Sequence, residues 1–93
     1  MKILKSIVSL ESLEARLRQA GISASIGGKS DGPFLFAKYN DRAIEASTND
    51  GQWWLEAWDL SEDPDAPPVK DIVLHSEDEA FCKVIDWLRQ QKP

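Results

Sequence analysis

One cysteine and one histidine are all that 93 residues hold of the two side chains most used in nucleophilic, redox and metal chemistry. A lone Cys82 excludes an internal disulfide, so the chain is not a stapled secreted scaffold and a reducing cytosol is the expected compartment. Asp78 and Asp86, one helical turn to either side, are its charged neighbours and disfavour a thiolate, so it reads as a packing residue. His75 has no second histidine or activated cysteine beside it and directly precedes a helix-cap signal, which makes it a cap neighbour rather than a general base.

Positive charge is also in short supply. Lys and Arg number 11 against 16 Asp and Glu, a formal net charge of -5, whereas a nucleic-acid partner requires a clustered basic excess. With 42% hydrophobic and 29% charged residues the balance is that of a soluble globular domain, neither disordered nor membrane-spanning. The opening "MKILKSIVSL" has the look of a secretory leader, but Lys5, Ser6 and Ser9 interrupt the apolar run and Glu11 follows with no small-residue cleavage pattern. It is read as part of the mature protein.

Phosphate and metal signatures are incomplete. Gly28-Lys29-Ser30 matches the closing half of a phosphate-binding loop, yet the glycine required five residues earlier is Ser23, and Asp31-Gly32-Pro33 leads toward a strand instead of a helix. Asp59, Glu62, Asp63 and Asp65 supply oxygen ligands without the spacing or the central glycine of a calcium-binding hand. The expectation is therefore no metal, no cofactor and no catalytic set.

What the chain does carry is periodicity, over a length suited to a single domain spanning residues 1–93. Leu10, Leu13, Leu17 and Ala20 fall on one stripe of a 3.6-residue repeat, with Ser9 placed to cap the start and Gly21 to end it; Glu14 and Arg18 form an i, i+4 pair. This predicts a helix over 9–20, with residues 3–8 either extending it or lying against a sheet. A second helix opens at a Ser76/Glu79 capping box and places Ala80, Phe81, Val84, Ile85, Trp87 and Leu88 on one broad arc, against Glu79, Lys83, Asp86 and Gln90.

Between the helices the period drops to two. "ISASI", "PFLFAKY", "RAIEAST" and "QWWLEAWD" read as strands separated by a wide glycine-rich turn, a tight Asn40-Asp41 turn and a turn at residues 49–51. The acidic, proline-containing "LSEDPDAPPVK" reads as a loop, and "DIVLH" as a short edge strand. The expected fold is α+β, a two-layer sandwich whose antiparallel meander of four strands, or five with "DIVLH", carries the N-terminal and C-terminal helices on one face.

A two-residue Asn40-Asp41 turn sorts the second and third strands into a core face of Leu35, Ala37, Tyr39, Ile44 and Ala46 and an opposite face of Phe34, Phe36, Lys38, Ala43, Glu45 and Ser47. The next hairpin decides the tryptophans. A two-residue turn at Asp50-Gly51 sends Trp53, Leu55 and Ala57 to the core and Trp54, Glu56 and Trp58 outward; a three-residue turn inverts every one of them and sets Glu56 in the core beside Ile44. The first register is expected, because a buried unpaired carboxylate is costly.

Phe34, Phe36, Trp54 and Trp58 then gather on an open face around Lys38, Glu45 and Glu56, which suggests a non-enzymatic protein-binding module of the adaptor, chaperone-like or immunity kind, its partner another protein or a second copy of the chain. The alternative is a small-molecule or carbohydrate binder, or a weak hydrolase, built on Glu45 and Glu56 among the aromatics. Against that chemistry stands the plainer reading that both acids sit in solvent, or that Lys38 and Arg42 relieve them.

Overall fold

The computed structural model describes residues 2–28, 32–49, 51–60, 65 and 67–89, which form α1 (Lys2–Gln19), β1 (Ser23–Gly27), β2 (Phe34–Tyr39), β3 (Arg42–Asn49), β4 (Gln52–Asp59), β5 (Lys70–Leu74) and α2 (Glu77–Arg89). The strands pair in chain order into a five-stranded antiparallel meander, and both helices pack on one of its faces. The architecture is the α+β two-layer sandwich expected, with "DIVLH" realised as a fifth strand. No described helix is long and apolar enough to cross a membrane.

Ser9 is not a cap. Nothing in residues 2–8 breaks a helix, so α1 starts upstream and Ser9 lies inside it. Its other end matches expectation in detail: Gly21 takes φ +82°, its N–H donates to the Arg18 carbonyl at 3.0 Å, and the Ile22 N–H donates to Leu17 at 3.0 Å. That pair of bonds is a Schellman stop, and it leads the chain directly into β1 with Ile22 buried against the same core as Leu17. At α2 the Ser76 hydroxyl accepts the Glu79 N–H at 3.1 Å, satisfying a backbone donor that the helix leaves unpaired.

Leu10, Leu13 and Leu17 from α1 and Ala80, Val84, Trp87 and Leu88 from α2 cover Ala24, Leu35, Ala37, Ile44, Ala46, Trp53, Leu55, Ala57 and Leu74 of the sheet. Each large side chain so enclosed contributes about 1.5–3 kcal/mol through removal from water. Arg16 ties the helices together, donating to Glu77 at 3.0 Å and Asp78 at 2.9 Å while its guanidinium lies 4.4 Å from the centre of the Phe81 ring. Arg89 donates to the Ala20 carbonyl at the end of α1.

Two positions depart from the expected packing. Tyr39 lies at the end of β2 next to the Asn40 turn and is exposed instead of buried. Cys82 projects from α2 beside Lys83, off the buried arc, and is exposed, so it is not a packing residue.

Candidate aromatic and acidic sheet face

The register of the β3–β4 hairpin is the two-residue one. Asn49 pairs with Gln52, Gly51 has φ +83°, and Ser47, Glu45 and Ala43 stand opposite Trp54, Glu56 and Trp58. Adjacent tryptophans consequently take opposite environments: Trp53 is 3% exposed beneath the helices and Trp54 is 36% exposed on the other face. Phe36 shares the open face with Trp54 and is exposed, while Trp58 is half-buried. Ala43, flanked by Lys38 and Trp58 as cross-strand neighbours, is buried on this face without any helix above it.

Phe34 also points to this side, with its ring lying over the hairpin glycines. A Cβ built on Gly27 would meet the ring at 2.9 Å, and one on Gly28 would meet the Gly32 carbonyl at 2.6 Å. Gly28 further requires φ +63°. The Phe34 ring thus covers the backbone where side chains cannot stand. Lys29, Ser30 and Asp31, the rest of the phosphate-loop-like stretch, lie outside the described residues; the strand that follows them is β2, as the sequence implied.

Reading across the strands shows what the open face is made of. One row runs Ser25, Phe36, Glu45, Glu56, Asp71, with each residue the register partner of the next. Neighbouring strands stand about 4.8 Å apart, so the last three positions form a line of carboxylates across β3, β4 and β5. Ser47, Trp54 and Val73 make the row on one side, and Lys38, Ala43 and Trp58 the row on the other. Val73 is 49% exposed and extends the apolar surface toward the sheet edge.

Glu45 is the most enclosed of the acids. Burial, followed by the charge of Glu56, raises its pKa above the ordinary carboxylate value. Among the described residues no hydrogen bond or ion pair engages the side chains of Glu45, Glu56 or Asp71. Arg42, one of the two cations that could have relieved the acid pair, does not face it, because its position in β3 turns it to the helical side. There it donates to the Trp87 carbonyl at 3.2 Å, lies 4.3 Å from the Trp87 ring centre and approaches Asp59 at 3.9 Å. Lys38 shares the open face and forms no ion pair with a described residue.

The sequence reading missed Asp71 and Val73. Their signal was the alternation in "VKDIVL", which assigns Asp71 and Val73 to one face once the strand is paired, but the pairing partner of that strand is not written locally. On the helical side a shallow cavity of about 220 Å³ lies between α2 and the sheet, lined by Ile44, Ala57, Ile72 and Trp87 with Lys70, Lys83 and Asp86 among its walls. No group of three or more His, Cys, Asp or Glu among the described residues is arranged to hold a metal ion. Of the acidic-loop candidates, Glu62 and Asp63 lie outside the described residues. Comparison with protein-family models, curated proteins and solved structures gives no match.

Proposed function

We propose that this is a non-enzymatic protein-binding module that works in the cytoplasm through the open face of its sheet. One observation carries the reading: Trp54 and Phe36 are exposed together beside a row of carboxylates that have no partner among the described residues. Large aromatic side chains are the usual anchors of protein interfaces, and an apolar patch kept in water costs solubility unless something covers it. Phe34 supports the patch from its edge, with Trp58 and Lys38 bounding the other side.

The acids favour a different molecule over a second copy of the chain. Stacking two such faces about a two-fold axis brings the carboxylate rows together across roughly 10 Å, and like charges disfavour that approach. The reading of Glu45 and Glu56 as a glycosidic acid and base has less support: Glu45 is raised by burial and by Glu56, but Glu56 itself is exposed, and no metal-holding group is arranged among the described residues.

The test is site-specific photo-crosslinking in cells that make the protein, with the photoreactive side chain placed at position 54 and, as control, at the exposed Asp86 of α2. A discrete adduct at position 54 that is absent at 86 supports the reading; equal labelling at both positions overturns it. Light scattering at two protein concentrations should find the free protein monomeric, and Trp58→Ala should leave that unchanged.

A further inference from the structure

The two edges of the sheet differ. In an antiparallel ladder the backbone N–H and C=O groups of alternate residues point to alternate neighbours. The two-residue turn at Asn40-Asp41 fixes that alternation for β2, and so leaves Ala24 and Ile26 of β1 with groups pointing away from the sheet. There Arg18 reaches over from α1 and donates to the Ala24 carbonyl twice, from Nε at 3.2 Å and Nη2 at 3.0 Å. The β1 edge is obstructed by a side chain that already occupies one of its two outward carbonyls.

On β5 the situation is reversed. The Ala57 carbonyl accepts the Val69 N–H at 2.7 Å, so Ala57 turns its backbone groups toward β5, and alternation makes Leu55 and Trp53 do the same toward Ile72 and Leu74. Asp71 and Val73 are left with N–H and C=O groups facing outward, and no described strand or helix pairs with them. Those residues also terminate the acid row and the apolar row of the open face.

We propose that the partner of this module adds an extended segment to β5, antiparallel, placing a Lys or Arg beside Asp71 and an apolar residue two positions earlier beside Val73. The inference rests on the reading of the open face as a binding surface and specifies what it binds. Its ground is charge complementarity: a strand added at this edge puts its next open-face residue at the end of the Glu45, Glu56, Asp71 line, where a cation is favoured and an anion repelled. Main-chain hydrogen bonds supply affinity in strand addition and alternate side chains supply specificity. A charged residue on an edge strand ordinarily deters indiscriminate pairing, and Asp71 does so toward every neutral or acidic segment while admitting a basic one. Trp54, next inward from Val73, provides the apolar floor for the remainder of the partner.

A direct test uses an acetylated, amidated seven-residue peptide with valine at its second and sixth positions, lysine at its fourth and threonine elsewhere, titrated against the whole protein with amide and indole shifts read by NMR. Saturable shifts are expected at Asp71 and Val73. N-methylation of the probe's valine and lysine amides, which face β5, should abolish them, and methylation of the intervening threonines should not. Exchanging the probe lysine for glutamate should weaken binding by about tenfold or more, and Asp71→Lys in the protein should restore the glutamate probe.

Binding indifferent to which amides are methylated overturns strand addition, and persistent movement of the Trp54 indole in that case leaves the open-face reading standing. No shift at β5 with millimolar probe overturns the inference, while the crosslink at position 54 independently decides the broader reading. Shifts at Asp71 and Val73 that grow with protein concentration alone show two β5 edges pairing, and overturn a basic partner in favour of a second copy.

Discussion

Trp53 and Trp54 are consecutive in the chain and divide the protein between them. The face that Trp53 joins is closed: two helices cover it and its polar groups are engaged. There the Trp87 indole N–H donates to the Ala43 carbonyl at 3.2 Å and to the Trp58 carbonyl at 3.3 Å. Arg42 and Lys70 also lie near the Trp87 ring, at 4.3 and 5.1 Å from its centre. The face that Trp54 joins has the same strands and carries Phe34, Phe36, Trp54 and Trp58, yet its acids pair with none of the described residues and its large side chains remain partly in water. The contrast teaches that both helices bury one side of this sheet and leave the aromatics and acids of the other to water.

Substitution should separate the two faces cleanly. The largest effect belongs to the core: Leu55→Ala, at a side chain with no exposure, should lower unfolding free energy by about 3 kcal/mol. Trp54→Ala, one residue away, should cost less, about 1 kcal/mol, since its indole is already partly in water and no described helix packs over it. Urea denaturation of both variants measures the difference, and equal losses would erase the distinction between the faces.

A smaller loss is expected from Trp87→Phe, about 1–2 kcal/mol, because the ring is largely retained while one indole N–H and part of the cation–π attraction disappear. The same measurement with Arg42→Met should show a partial overlap with it, as the two side chains share one contact.

Smallest, and opposite in sign, is Glu45→Gln. The folded-state pKa of Glu45 is raised, by burial first and by Glu56 second, so the folded protein holds this proton to higher pH than the unfolded chain does. Stability from this group is therefore greatest in acid and falls as pH rises from the ordinary glutamate range through the raised folded value. Above that range the ionised side chain is a liability, and Glu45→Gln should stabilise the protein by about 0.5 kcal/mol at neutral pH while flattening the acid-range slope of stability against pH. A stability profile unchanged by the substitution would mean that Glu45 is no more perturbed than an ordinary surface acid.

The fold was largely legible from the chain because its signals are local. The leucine stripe of α1, its Gly21 stop, the Ser76/Glu79 cap of α2 and the alternation of four strands each depend on residues within a few positions of one another. Even the sorting of the tryptophans followed from a two-residue turn and the cost of burying Glu56, and the observed pairing of Ser47 with Trp54 agrees. Apart from Cys82 in the middle of α2, the places where the reading failed are ends and edges. Ser9 is helical because the preceding residues continue the helix, Tyr39 is exposed because the strand is ending, and Arg42 serves Trp87 and Asp59 instead of the acids across the sheet.

Periodicity and turn length, then, determined by themselves the element order, the two layers and which side of each strand meets the helices, since both are properties of short stretches of chain. Only the assembled tertiary structure decided that Glu45, Glu56 and Asp71 form one line, that Arg18 occupies the outward Ala24 carbonyl of β1 and that no described element pairs with the outward groups of β5. Those facts join residues tens of positions apart, and the physical reason they are invisible locally is that a strand's side-chain pattern states which face a residue takes but not which strand will stand beside it.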